Sequence, residues 1–172
     1  MIFPTTLFRL NYVRSNAINL AWQGIASCVM SLCLSGWVDM PILTLKLSAH
    51  ANLKDASALA HDLTALSTEI LHKRSDVTSV VFQRISASDW WVGCETTAQV
   101  LMQLDIRITQ GTNSDAEKAA FVAAAFALLP KHLAEGQQMH ATSYISVQEL
   151  AAADWGYGGY TQQQRREMAQ TL

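Results

Sequence analysis

Met40-Pro41-Ile42-Leu43-Thr44-Leu45-Lys46-Leu47 opens a strand: Leu43, Leu45 and Leu47 alternate with Ile42, Thr44 and Lys46, the period of a sheet with one apolar face. The pattern returns once. Residues 43–52 lie over residues 104–113, where Leu104, Ile106 and Ile108 alternate with Gln103, Asp105 and Arg107. The far ends of the two copies also match, Asp89-Trp90 lying over Asp154-Trp155. A repeat of this kind fixes the organisation before any single element is assigned. Each half reads as strand, helix, strand and an Asp-Trp turn.

Between the strands the period changes from two to that of a helix. Asn52 is positioned to cap a helix in which Ala56, Leu59, Ala60, Leu63, Leu66 and Ile70 recur, ending near the cations Lys73 and Arg74. Residues 77–85 read as a β-branched second strand. In the second half Ser114-Asp115-Ala116-Glu117 is a capping box, and the helix behind it carries Phe121, Ala124, Ala125 and Leu128 on one stripe, widened by Val122 and Phe126. Pro130 stops or kinks it. Residues 143–148 form the fourth strand, with Ile145 and Val147 toward the helices and Tyr144, Ser146 and Gln148 away from them.

A right-handed βαβ unit keeps its helix on one side of its parallel strands. The expected fold is therefore α/β (α+β): two βαβ repeats making a four-stranded mixed sheet with two helices on one face. The other face carries Lys46, Asp105, Arg107, Tyr144 and Ser146 among apolar side chains, and a half-covered sheet calls for a partner. A homo-oligomer through the sheet side is expected.

Composition narrows the function. The 172 residues are half hydrophobic, enough for one core, and the net charge of -2 with a pI near 6.2 offers no attraction to nucleic acid. Cys28, Cys33 and Cys94 have no metal-ligand spacing and cannot all pair, which suits a reducing, cytoplasmic compartment. The five histidines form no i, i+4 pairing with a carboxylate, so no metal is expected. Gly156, Gly158 and Gly159 lack a strand-to-helix context for phosphate and serve a tight turn. Trp90, Trp91 and Trp155 read as packing anchors at the two Asp-Trp turns.

Residues 1–39 read differently from the remainder. Arg9 and Arg14 precede an apolar run, 25–34, which fits a secretory signal without a clear cleavage site or a weak membrane anchor over 17–38. The preferred reading is a start codon chosen too early, so that the functional domain is 40–172 and a membrane partner exists only if residues 1–39 are real. Pro41 would then carry a free secondary amine once Met40 is removed. An α-amino group titrates at about 7.7–8.0 in water, and an apolar pocket disfavours its charged form and lowers the value. If the chain is kept from Met1, the same nitrogen is a tertiary amide with no basic lone pair.

The Met-Pro-apolar strand start, the doubled βαβ unit, the strand at Tyr144-Ile145 and the segment Asp154-Trp155-Gly156-Tyr157-Gly158-Gly159 together resemble the tautomerase superfamily. That family includes 4-oxalocrotonate tautomerase, macrophage migration inhibitory factor and malonate semialdehyde decarboxylase. The resemblance covers Pro41 to about Arg166. It implies a homotrimer with active sites near subunit interfaces, no cofactor, and an amino-terminal proline as general base and acid, here Pro41. Tyr144 falls on the tyrosine of the migration inhibitory factor branch, with Ser146 two residues on, and Lys73 or Arg74 falls close to that branch's carboxylate-binding lysine. Asp76 lies near the catalytic aspartate of the decarboxylase branch. Arginines that other members carry fall here near His50 or Ala51, Val81, Gln110 and Thr112, and are absent.

Keto-enol tautomerisation needs a base beside the carbonyl, a donor for the enolate and an acid to return the proton. On this reading Pro41 moves the proton, Tyr144 donates to the carbonyl oxygen, and Arg107, Lys73 or Arg74 holds the carboxylate of a small 2-oxo acid or enol. Trp155 and Tyr157 supply the apolar wall. Two alternatives stay open: decarboxylation or hydration of a malonate-semialdehyde-type acid by the same proline with Asp76, and a non-catalytic oligomeric binding protein if residues 1–39 are retained.

Overall fold

Alternation in β1 (Ile42–Ser48) puts Leu43, Leu45 and Leu47 at 0% exposure on one face, while Ile42, Thr44 and Lys46 remain partly open on the other. This computed structural model describes residues 40–171, and the expectations for residues 1–39 lie outside the described residues. The remaining elements are α1 (Ala56–Glu69), β2 (Ser79–Ile85), β3 (Met102–Thr109), α2 (Asp115–Leu128), β4 (Tyr144–Leu150), the short pair β5 (Gly156–Tyr157) and β6 (Tyr160–Thr161), and α3 (Gln162–Gln170).

The main sheet runs β2-β1-β3-β4. β1 pairs parallel with β2 and antiparallel with β3, and β3 pairs parallel with β4, so two βαβ units meet edge to edge as the repeat requires. Leu104, Ile106 and Ile108 of β3 join the β1 leucines, and Leu59 and Leu63 of α1 close over them with Phe121 and Ala125 of α2. Both long helices therefore cover the same face. Ile145 and Val147 pack against this core, as their alternation predicted.

Local signals held unevenly. The Ser114 capping box is present in full, the hydroxyl accepting from Glu117 N–H while the Glu117 carboxylate accepts from Ser114 N–H. The cap of α1, by contrast, is Asp55 and not Asn52, because the Asp55 carboxylate receives the N–H groups of Ser57 and Ala58. Asn52 instead has its own N–H taken by Gln137 Oε1 at 2.7 Å. β2 starts at Ser79, two residues later than the β-branched run suggests, since a single 3-10 turn at Ser75–Val77 intervenes. α2 ends at Leu128, and Pro130 sits in the 3-10 turn Leu129–His132 that follows. Trp91 is 60% exposed, its indole bonded to Ser88 O, and so is no packing anchor. Cys94 is free and exposed.

Candidate active site

Pro41 is buried one residue ahead of β1, and its carbonyl accepts the Ser79 N–H at 3.2 Å. A proline fits here because no ladder donor is needed from the first residue of a strand. Register decides what else shares this end of the sheet. Ile42 faces Ser79 on one side and Arg107 on the other, and Arg107 in turn faces Gln148. The beginnings of β1 and β2 thus meet the ends of β3 and β4.

Two of the expected cations lie at this end. Arg107 is exposed, its Nε donating to Gln148 Oε1 at 3.3 Å. Arg74 precedes the 3-10 turn that leads into β2, and its guanidinium grips the Asp76 carboxylate through two N–H donors. The hydrogen bonds and charge of Asp76 raise the Arg74 pKa, with a smaller contribution from Tyr157, and Arg74 holds Asp76 below the ordinary carboxyl range. Lys73 is different. It follows His72, which takes a left-handed φ of 56°, and it is 3% exposed with Nζ donating to Thr112 Oγ1 at 2.8 Å.

Halfway along the sheet, on the face the helices leave open, Asp105 gathers a polar cluster. Ser146 Oγ donates to it at 2.6 Å, Gln103 Nε2 at 3.1 Å and Lys46 Nζ at 3.3 Å, and only 8% of the residue is exposed. Burial pushes this carboxyl up, but the bonds from Ser146, Gln103 and Lys46 outweigh it and leave the pKa lowered. Ser146 therefore serves Asp105. Tyr144, 66% exposed, faces Gln103 near the opposite end of the sheet. At a rise of about 3.3 Å per residue it stands roughly 17 Å along the strands from Pro41 of the same chain.

Trp155 and Tyr157 belong to the turn that follows β4. Gly156 faces Thr161 and Tyr157 faces Tyr160, a hairpin closed so tightly that a Cβ on Gly156 would lie 2.0 Å from Tyr160 O. Trp155, Tyr157, Tyr160 and Thr161 line an open depression of about 320 Å³ together with Asp154. Arg165 of α3 lies over the Tyr157 ring at 3.6 Å and donates from Nη2 to Tyr157 O at 2.8 Å. Neither Arg165 nor the hairpin pairing follows from the strand repeat. The readable signal is Thr161-Gln162-Gln163-Gln164, a capping box that is formed in the structure and announces α3. Among the described residues there is no group of three or more His, Cys, Asp or Glu able to hold a metal ion, and no helix is long and apolar enough to cross a membrane.

The sequence expectations thus divide: Pro41, Arg107, Arg74 and Asp76 share one end of the sheet, Ser146 its middle and Tyr144 the other end, while Lys73 is enclosed. No family model and no curated protein matches the chain. Solved structures do. A fused 4-OT wild-type asymmetric trimer aligns with a TM-score of 0.61 at 16% identity, over 72% of this chain and 98% of that one. Pt0534 inactivated by 2-oxo-3-pentynoate aligns at 0.63 and 10% identity, over 72% and 98% of the two chains. A macrophage migration inhibitory factor-like protein from Entamoeba histolytica aligns at 0.53 and 19% identity, over 70% and 97%. Likeness at such identities concerns the path of the backbone, and on that ground this chain shares the fold of the 4-OT and macrophage migration inhibitory factor-like structures.

Proposed function

We propose that the protein is a cofactor-independent keto-enol tautomerase of small 2-oxo acids, with Pro41 as general base and acid. The observation that supports it is the buried position of Pro41 at the head of a central strand, at the sheet end shared with Arg107, Arg74 and Asp76. With Met40 removed, the ring nitrogen is a secondary amine whose charged form is disfavoured by burial, so it is free to take a proton near neutral pH. It removes a proton from the carbon next to the carbonyl, and the same nitrogen returns it to the other end of the enolate. Arg107 adds a positive charge from the exposed side of β3, and Trp155 and Tyr157 form the apolar wall.

Tyr144 enters this scheme only from a neighbouring copy, given its separation from Pro41 within one chain. The proposed assembly is a homotrimer, in keeping with the fused 4-OT neighbours described as trimers, and the open sheet face around Asp105 is the surface it buries. The proposed site of action is the cytoplasm. Decarboxylation or hydration by the same proline is the second reading. It rests on Asp76, which Arg74 keeps anionic at the Pro41 end.

Protein beginning at Pro41, assayed with phenylenolpyruvate and with malonate semialdehyde, separates the two. Faster ketonisation of the enol supports the tautomerase, and turnover of the semialdehyde alone supports the alternative. Inertness toward both, together with an intact mass from the native cell that includes residues 1–39, makes the chain a non-catalytic oligomer.

A further inference from the structure

The three cations expected to hold a carboxylate all have partners: Arg107 bonds Gln148, Arg74 bonds Asp76 and Lys73 bonds Thr112. Arg165 does not spend all its donors. Its Nε–H is buried without a hydrogen-bond partner, although the neighbouring Nη2 reaches Tyr157 O. Two more donors nearby share that condition, the Trp155 indole Nε1–H and the Nε2–H group of Gln162, a residue 1% exposed. Buried N–H groups are almost always paired, so three unpaired in one module of a dozen residues mark a place for an acceptor that the chain itself does not supply.

The local folding ties together the segments that carry them. Gln162 N–H donates to Trp155 O at 3.0 Å, Gly156 pairs with Thr161, and Gln162 and Arg165 stand one turn apart on the same side of α3. Gly158, at φ +59°, gives the guanidinium its room: a Cβ there would come within 2.9 Å of Arg165 Nη2. The tyrosine ring beneath fixes the plane of the fork, which removes much of the rotamer freedom that anion binding would otherwise cost. The three groups are all donors, one of them permanently cationic, which selects an anionic acceptor over a neutral one.

We propose that Arg165, backed by Trp155 Nε1–H and Gln162 Nε2–H, is the anchor for the carboxylate of the substrate. The assignment deepens the tautomerase reading and rests on it for the identity of the ligand as a 2-oxo acid. It makes Arg165 a binding residue and assigns Arg107 to contacts at the carbonyl end or across the interface. Trp155 is the residue this donor set shares with the depression, where the wall it forms with Tyr157 and Tyr160 orients the carbon skeleton.

The test uses the full chain and pyruvate, with the arginine Nε–H and tryptophan Nε1–H resonances followed by nitrogen-15 NMR and Trp155 identified through Trp155→Phe. Pyruvate is expected to move the Arg165 and Trp155 signals together on one saturable curve, and neutral pyruvamide to bind at least tenfold more weakly. Arg165→Gln is expected to weaken pyruvate binding at least tenfold. Because Arg165 also holds Tyr157, the wild-type titration stands as the deciding measurement if that variant fails to fold. Signals that stay still at saturating pyruvate, or equal binding of pyruvate and pyruvamide, overturn the assignment. Binding with these features by protein that shows no turnover retains the carboxylate site and removes the tautomerase reading, whereas turnover with silent Arg165 and Trp155 signals does the reverse.

Discussion

The two ends of the main sheet are built from the same repeat and carry different chemistry. At the Pro41 end, the starts of β1 and β2 meet the ends of β3 and β4, and charged groups collect: Arg107, Arg74, Asp76 and, through the hairpin after β4, Tyr157 with Arg165 over its ring. At the other end Tyr144 stands exposed, and the polar contacts nearby, such as Gln137 with Asn52 N–H and His50 O, tie loops together. A symmetric topology is thus made asymmetric by its connections. Loops can differ while strands must stay alike, so chemistry collects where loops do.

Replacing Tyr144 tests whether the ends work together. If a neighbouring copy carries its hydroxyl to Pro41, Tyr144→Phe lowers kcat about 10²–10³-fold. An exposed side chain leaves Tm almost unchanged, so paired kinetics and thermal melting separate this from misfolding. An unaltered kcat would keep the two ends apart. Gly156→Ala strikes the Pro41 end alone. The new Cβ would lie 2.0 Å from Tyr160 O and 2.6 Å from Thr161 Cα, so the hairpin must open and displace Trp155 and Tyr157. A displaced wall is expected to cost about 10²-fold in kcat/KM while the core melts cooperatively as before.

Midway between the ends, Asp105→Asn leaves the amine of Lys46 without its charge partner and is expected to destabilise the fold by about 1–3 kcal/mol in urea titrations. The native Asp105 carboxyl titrates below its usual 3.8, so its contribution is present above that pH and is lost as the pH falls through the lowered folded value. The stability difference between wild type and Asp105→Asn should accordingly shrink in melts taken below pH 3.8. The smallest effect compares two caps. Asp55→Ala should cost about 1 kcal/mol by removing the acceptor for the Ser57 and Ala58 N–H groups, while Asn52→Ala leaves Tm where it is.

These residues also show what the sequence made readable. Alternation at Leu43, Leu45 and Leu47 and its return at Leu104, Ile106 and Ile108 define the strands, because a period of two has one physical cause. The capping box at Ser114 works the same way, two reciprocal bonds needing two residues at fixed spacing. Asn52 against Asp55 shows the limit: both residue types can cap, and it is the Asp55 carboxylate that receives the Ser57 and Ala58 N–H groups, while Asn52 N–H is held by the Gln137 side chain, 85 residues away. The placement of the candidate residues follows from strand register where register carries it, as for Pro41 at the Arg107 end of β3. Placement does not follow where a tertiary contact decides, as for Lys73, enclosed against Thr112, or Arg165, whose stacking on Tyr157 requires the hairpin first.

The proposed chemistry depends most on the state of one nitrogen. Ketonisation of phenylenolpyruvate should be followed with protein beginning at Pro41 and with the same protein retaining Met40. A drop in kcat of about 10²–10⁴-fold when Met40 is kept is the predicted result. Equal rates from the two proteins would contradict it, since an amide nitrogen cannot take the proton.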